Sequence, residues 1–106
     1  MIALIYIEHD IIGKIDLQLI NKSDRVVGGK MIPTPGYEKY KIKIQEISSD
    51  KIVADDDDFP FRIMLEDSTL VDPERGINLT DMIDSPNDIY IEAYGVSKEI
   101  VRRIRS

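Results

Sequence analysis

The chain has no cysteine, no tryptophan and a single histidine in 106 residues. The first absence removes disulfides, thiolate metal ligands and cysteine nucleophiles together, and it suits a reducing compartment. One histidine, His9, leaves too few ligands for a zinc site. No apolar run approaches the roughly 18 residues needed to span a bilayer. The apolar start, Met1 to Ile7, is stopped by Glu8 and Asp10 and has no basic region ahead of it, so a signal peptide is not expected and a cytoplasmic location is. Gly28-Gly29-Lys30 is too short for a phosphate cradle. No nucleophile elbow surrounds Ser23, Ser48 or Ser68. Ser48 and Lys51 match a short serine–lysine pattern of penicillin-recognising enzymes, but both companion motifs are missing and the chain is too small for that fold. These absences leave no linear motif for catalysis or for a cofactor, and neither is expected.

What the chain does have is charge, unevenly placed. Between Glu46 and Glu92 fourteen carboxylates stand against Lys51, Arg62 and Arg75, a local charge of −11 within a total of −6. Residues 1–45 hold seven Lys/Arg against five Asp/Glu, and residues 93–106 hold four against one. An acidic block of this kind raises a negative potential that repels phosphate polyanions and attracts basic protein surfaces. Lys39, Lys41 and Lys43 near Tyr37 and Tyr40 could contact a nucleic acid. The block downstream opposes that, so nucleic acid is not an expected partner.

Hydrophobic content of 42% with 32% charged residues fits one globular domain, 1–106, with a core of its own. Ile2 to Ile7 is apolar on both pleat faces, the pattern of a central strand covered on both sides. His9 to Gly13 reads as a turn, and Lys14 to Ile20 alternates with Ile15, Leu17 and Leu19 inward. Val26 to Ile32 is a strand that Gly28-Gly29 breaks by a bulge or a close backbone approach. Thr34-Pro35 marks a helix start, with Tyr37, Tyr40, Ile44 and Ile47 on one stripe. The rival is a strand in which Tyr40, Ile42 and Ile44 alternate with lysines.

Further short strands are expected over Lys51 to Ala54 and Phe61 to Leu65, with a helical turn near Leu79 to Ile83. A cleanly alternating strand follows from Ile89 to Tyr94. Ser97 caps a closing helix, and Val96 can staple to Val101. The fold class is therefore α+β: a mainly antiparallel sheet with a C-terminal helix and one internal helix at about residues 35–47.

The run Asp55-Asp56-Asp57-Asp58 invites a calcium reading, with Glu66 at the twelfth position. Phe59 and Pro60 then occupy the fifth ligand and the obligatory glycine positions, so no metal is expected. The plain reading of the run is a solvated loop, and after it a contact with a basic protein. Tyr90, Glu92 and Tyr94 share one strand face, and tyrosine is enriched at binding hot spots. The alternative there is that the closing helix simply covers this face.

In size and charge the chain resembles small acidic bacterial immunity or antitoxin-type inhibitors. That resemblance implies a non-enzymatic domain that docks on the basic groove of a nucleic-acid-cleaving toxin and occludes it. The residues it would use are Asp55, Asp56, Asp57, Asp58, Glu66, Asp67, Asp72 and Glu92, with Phe59, Tyr90 or Tyr94 as anchors. The competing expectation is an oligomerising or accessory domain whose apolar strand face packs on a second copy, giving a homodimer.

Overall fold

A computed structural model describes residues 1–48, 53–54, 59–81 and 88–105. Within them the elements are β1 (Ile2–Ile7), β2 (Asp10–Asp16), β3 (Gln18–Asn21) and β4 (Val26–Pro33), then a 3-10 turn, Pro35–Lys39, that leads into α1 (Lys41–Ser48). There follow β5 (Val53–Ala54), β6 (Phe61–Leu65), β7 (Leu70–Val71), β8 (Ile77–Asp81), β9 (Ile89–Tyr94) and α2 (Lys98–Arg105). The strands form one antiparallel sheet in the order β5-β8-β9-β4-β2-β1-β6-β7, and β3 also pairs with β4. This is the expected α+β fold with a C-terminal and an internal helix.

The backbone of the architecture is one long bent hairpin. Ile15 faces Met31 and Gln18 faces Gly28, the same register on both sides of Leu17. β2 and β3 are thus a single strand bent at Leu17, whose buried amide donates to the Met1 carbonyl at 2.7 Å. The bend lets β4 serve two halves of the sheet, pairing with β2 at one end and with β3 and β9 at the other.

Four local expectations change. The turn before β2 is only Glu8-His9, with Glu8 in the left-handed region at φ 54°. Asp10 to Gly13 is strand instead: Ile5 faces Gly13 while Tyr6 faces Ile11, so Ile12 is a bulge residue. The bulge turns Ile12 into the core and leaves Ile11 outside, 39% exposed. Of the two readings of Gly28-Gly29, close approach holds and the break does not: β4 runs through it, and a Cβ on Gly28 would lie 2.2 Å from the Ile91 carbonyl oxygen.

The expected helical turn near Leu79 is strand β8, which pairs along its length with β9; residues 82 and 83 lie outside the described residues. Ile77, Leu79 and Asp81 are buried and alternate with half-buried Asn78 and Thr80, a period of two that turn-forming composition had obscured. Finally, β1 is central but is not covered on both sides: Ala3, Ile5 and Ile7 are buried, whereas Ile2, Leu4 and Tyr6 are half-buried.

The internal helix keeps its expected stripe. Tyr37 and Ile44 are buried, Tyr40 and Ile47 pack against the core, and Ile42 is 72% exposed. Thr34 occupies the N-cap position, but its hydroxyl donates to the Ile11 carbonyl at 2.6 Å, tying the helix start to β2. Ser97 caps α2 through the Ile100 amide at 3.2 Å. Tyr37, Ile44, Val96, Ile100 and Val101 join the inward residues of seven strands in one cluster, so both helices lie on the inner side of the sheet.

Candidate functional site

Among the described residues, most carboxylates of the acidic block have partners within the molecule. Asp55, Asp56, Asp57 and Asp58 lie outside the described residues. Of the described carboxylates, Asp67 pairs with Arg103 at 2.7 Å, Glu74 with Arg25 at 3.2 Å and Asp88 with Lys30 at 3.1 Å. Asp81 is buried, accepting from the Tyr37 hydroxyl at 2.6 Å and the Gln45 amide at 3.4 Å. Glu46 also has a partner. The pairing bases come from the two flanking segments that carry the positive excess. Hydrogen bonds from the Thr69 hydroxyl and amide, reinforced by Arg103, hold the Asp67 carboxyl down at about 2.

Phe59 is not a surface anchor. It is 2% exposed, its ring stacks on Phe61 with centroids 6.2 Å apart, and the Lys43 ammonium lies over it at 5.6 Å. The apolar ring is worth more in the core than on a loop, and Pro60 leads straight from it into β6. Glu66, Asp67 and Asp72 flank β7 and are exposed. Tyr90, Glu92 and Tyr94 lie on β9, with β4, β2 and β1 between that strand and β6. The structure therefore separates the expected site into two places.

The β9 part has a coherent geometry. Tyr90, Glu92 and Tyr94 alternate with buried Ile89, Ile91 and Ala93, so they face away from the core and from both helices. The alternative of a helix-covered face is thereby corrected: α2 follows β9 but packs on its other side. Across the strands, Tyr90 stands between Thr80 and Lys30, Glu92 between Asn78 and Gly28, and Tyr94 opposite Val26. Beside them is a hollow of about 430 Å³ lined by Ile20, Asn21, Asp24, Val26, Arg75, Glu92 and Tyr94.

Val26 is buried yet lies outside the main core cluster, the floor of a separate apolar patch on this outer face. Ile20 and Tyr90 are 52% and 47% exposed. The rim is stiff: the Arg25 carbonyl accepts from the Gly95 and Val96 amides, and the Arg75 guanidinium donates to the Asp24 carbonyl at 2.6 Å. Burial, then the neighbouring Glu92 carboxylate, push the Tyr94 hydroxyl above its ordinary range. Sequence reasoning missed Ile20, Val26 and Arg75. Ile20 carried a signal, since it is an apolar residue just past the inward series Ile15, Leu17 and Leu19.

A second polar cluster lies at the start of the internal helix. The Tyr40 hydroxyl donates to Asp10, and Lys39 pairs with the same carboxylate at 3.3 Å. Those two contacts, the tyrosine first, hold the Asp10 carboxyl low, and Asp10 in turn raises Tyr40. A tyrosine raised in this way stays protonated and keeps donating to Asp10, so the contact ties the internal helix to β2. Among the described residues no group of three or more His, Cys, Asp or Glu is placed to hold a metal ion. No helix among the described residues is long and apolar enough to cross a membrane. Comparison of the chain with protein-family models, with curated proteins and with solved structures finds no match.

Proposed function

We propose that this chain is a non-enzymatic protein-binding domain that engages its partner through the β9 part of the outer sheet face. The observation that carries the reading is the uncovered Tyr90–Glu92–Tyr94 row beside exposed Ile20, on a rim stiffened by backbone hydrogen bonds. A tyrosine row beside a hollow of mixed polar and apolar lining supplies contact area and hydrogen-bonding groups together.

In its finer form, the domain is an acidic inhibitor of the immunity or antitoxin kind, neutralising a basic nucleic-acid-cleaving toxin. The net charge of −6 supports this form, and so does the run of aspartates at 55–58, which would speed association with a basic cleft. The described carboxylates do so less, since most are paired within the chain.

The test is co-purification from source cells with wild type, with Tyr90→Ala/Ile20→Ser and with Asp55–Asp58 changed to Asn, followed by kinetics on the captured protein at low and high salt. Truncating a hot-spot tyrosine should weaken binding by roughly 30-fold. The asparagine variant should associate more slowly and with a shallower salt dependence. Unchanged affinity in Tyr90→Ala/Ile20→Ser would remove the site, and an unchanged salt slope in the asparagine variant would remove the inhibitor form.

A further inference from the structure

We propose that the other half of the outer face, formed by β4, β2, β1, β6 and β7, binds a second copy of this chain about a two-fold axis along β1. The strand registers place Ile32, Lys14, Leu4, Met64 and Leu70 in one row across these five strands. Ile32 and Leu70 at the ends are 68% and 49% exposed, and Leu4 and Met64 are only half-buried. Neither helix covers the row, since both lie on the opposite side of the sheet.

The pattern of the row selects the occupant. β1 is the middle strand of the five, and the row is nearly symmetric about it, with an aliphatic residue at each end and one at the centre. An isologous contact requires such self-matching. Rotation about β1 sets Ile32 against Leu70 of the second copy and Leu4 against Leu4. It also lays Lys14 over Met64, with Glu66 of that copy about 7 Å further along the strand, within lysine reach. Lys14 and Glu66 are exposed, and neither makes an ion pair among the described residues. A partner of one charge sign would satisfy only one of them; a second copy satisfies both, twice.

The size suits a weak dimer. The strands of this half are unequal, six residues in β1, five in β6 and two in β7, and at about 4.8 × 3.4 Å per residue they make a face of roughly 400 Å². Side-chain relief adds to it, short of the approximately 800 Å² per partner of a standard interface. The expected association is micromolar, and it leaves the Tyr90 surface free.

Sedimentation equilibrium with light scattering, from low to high micromolar concentration, tests this. The wild type should move from 12.1 kDa to about 24 kDa. Ile32→Glu and Leu70→Glu should stay monomeric with unchanged circular dichroism and melting temperature. Lys14→Glu should weaken the dimer about ten-fold or more, and Lys14→Glu/Glu66→Lys should restore it. A wild type monomeric at every concentration overturns the proposal, as does a dimer that survives Ile32→Glu and Leu70→Glu unchanged. Failure of the charge swap to restore association overturns the two-fold arrangement. A monomeric chain whose Leu70→Glu variant loses a co-purifying protein assigns the row to that other protein and overturns the second copy.

Discussion

Tyr37→Phe should destabilise the fold far more than Tyr40→Phe, although both tyrosines belong to the internal helical segment and both donate to an aspartate. Tyr37 is 1% exposed and its hydroxyl meets the Asp81 carboxylate at 2.6 Å, with Asp81 fully buried. The other donor shown, the Gln45 amide, stands at a long 3.4 Å and 3.5 Å from the two oxygens. Removing the hydroxyl keeps the ring, and hence the packing, but withdraws a short hydrogen bond from a buried carboxylate. A hydrogen bond to a charged group contributes about 1.5–3 kcal/mol, and more when the group is away from water than when it is exposed. A loss of about 2 kcal/mol is a large share of the roughly 5–15 kcal/mol of a typical domain. In urea it lowers the midpoint by about 1 M with an unchanged slope, read by far-ultraviolet circular dichroism. Asp10, the acceptor for Tyr40, stays in contact with water and with Lys39, so Tyr40→Phe should move the midpoint much less. Equal losses in the two variants would refute the reasoning, because burial of the acceptor would then not set the cost.

Gly28→Ala should lose about 1–3 kcal/mol, because the new methyl meets the Ile91 carbonyl at 2.2 Å and the Glu92 Cα at 3.0 Å, backbone atoms that cannot swing away. In an open strand the same change would gain a fraction of a kcal/mol, so a raised melting temperature would show that β4 and β9 lie further apart. Asp67 should contribute pH-dependent stability. Its folded carboxyl is held down at about 2, below the ordinary 3.8 of an aspartate, so the contribution is complete above about pH 4 and fades as pH falls toward 2. Nuclear magnetic resonance titration of Asp67 in Thr69→Ala and Arg103→Gln should show its pKa rising in each. An unmoved titration in both would contradict the contacts assigned to it.

Much of the fold was legible because its signals are local. Strict alternation over Ile89 to Tyr94, the stripe Tyr37, Tyr40, Ile44 and Ile47, and the Ser97 cap each depend on residues within a few positions of one another. The errors arose where a distant strand set the outcome. Ile12 turns inward because β1 imposes a bulge, and Ile77 to Asp81 is extended because β9 pairs with it. Phe59 was read as an anchor from its position beside four aspartates, yet the Phe61 ring and the Lys43 ammonium claim it. The tyrosine row on β9 was visible as a period of two; Val26 and Arg75 were not, since they arrive from other turns.

By itself the sequence determined the α+β class, the inward faces of the internal helix and of β9, the absence of any cysteine chemistry and the uneven distribution of charge, all of which follow from composition and short-range spacing. Only the tertiary structure decided that both helices occupy one side of the sheet and that flanking bases neutralise much of the described acidic block. It alone left two apolar patches on the opposite face. Which face a helix covers, and which base reaches which carboxylate, depends on strand order and on the bend at Leu17. Those bring together residues dozens of positions apart, such as Arg25 with Glu74 and Arg103 with Asp67.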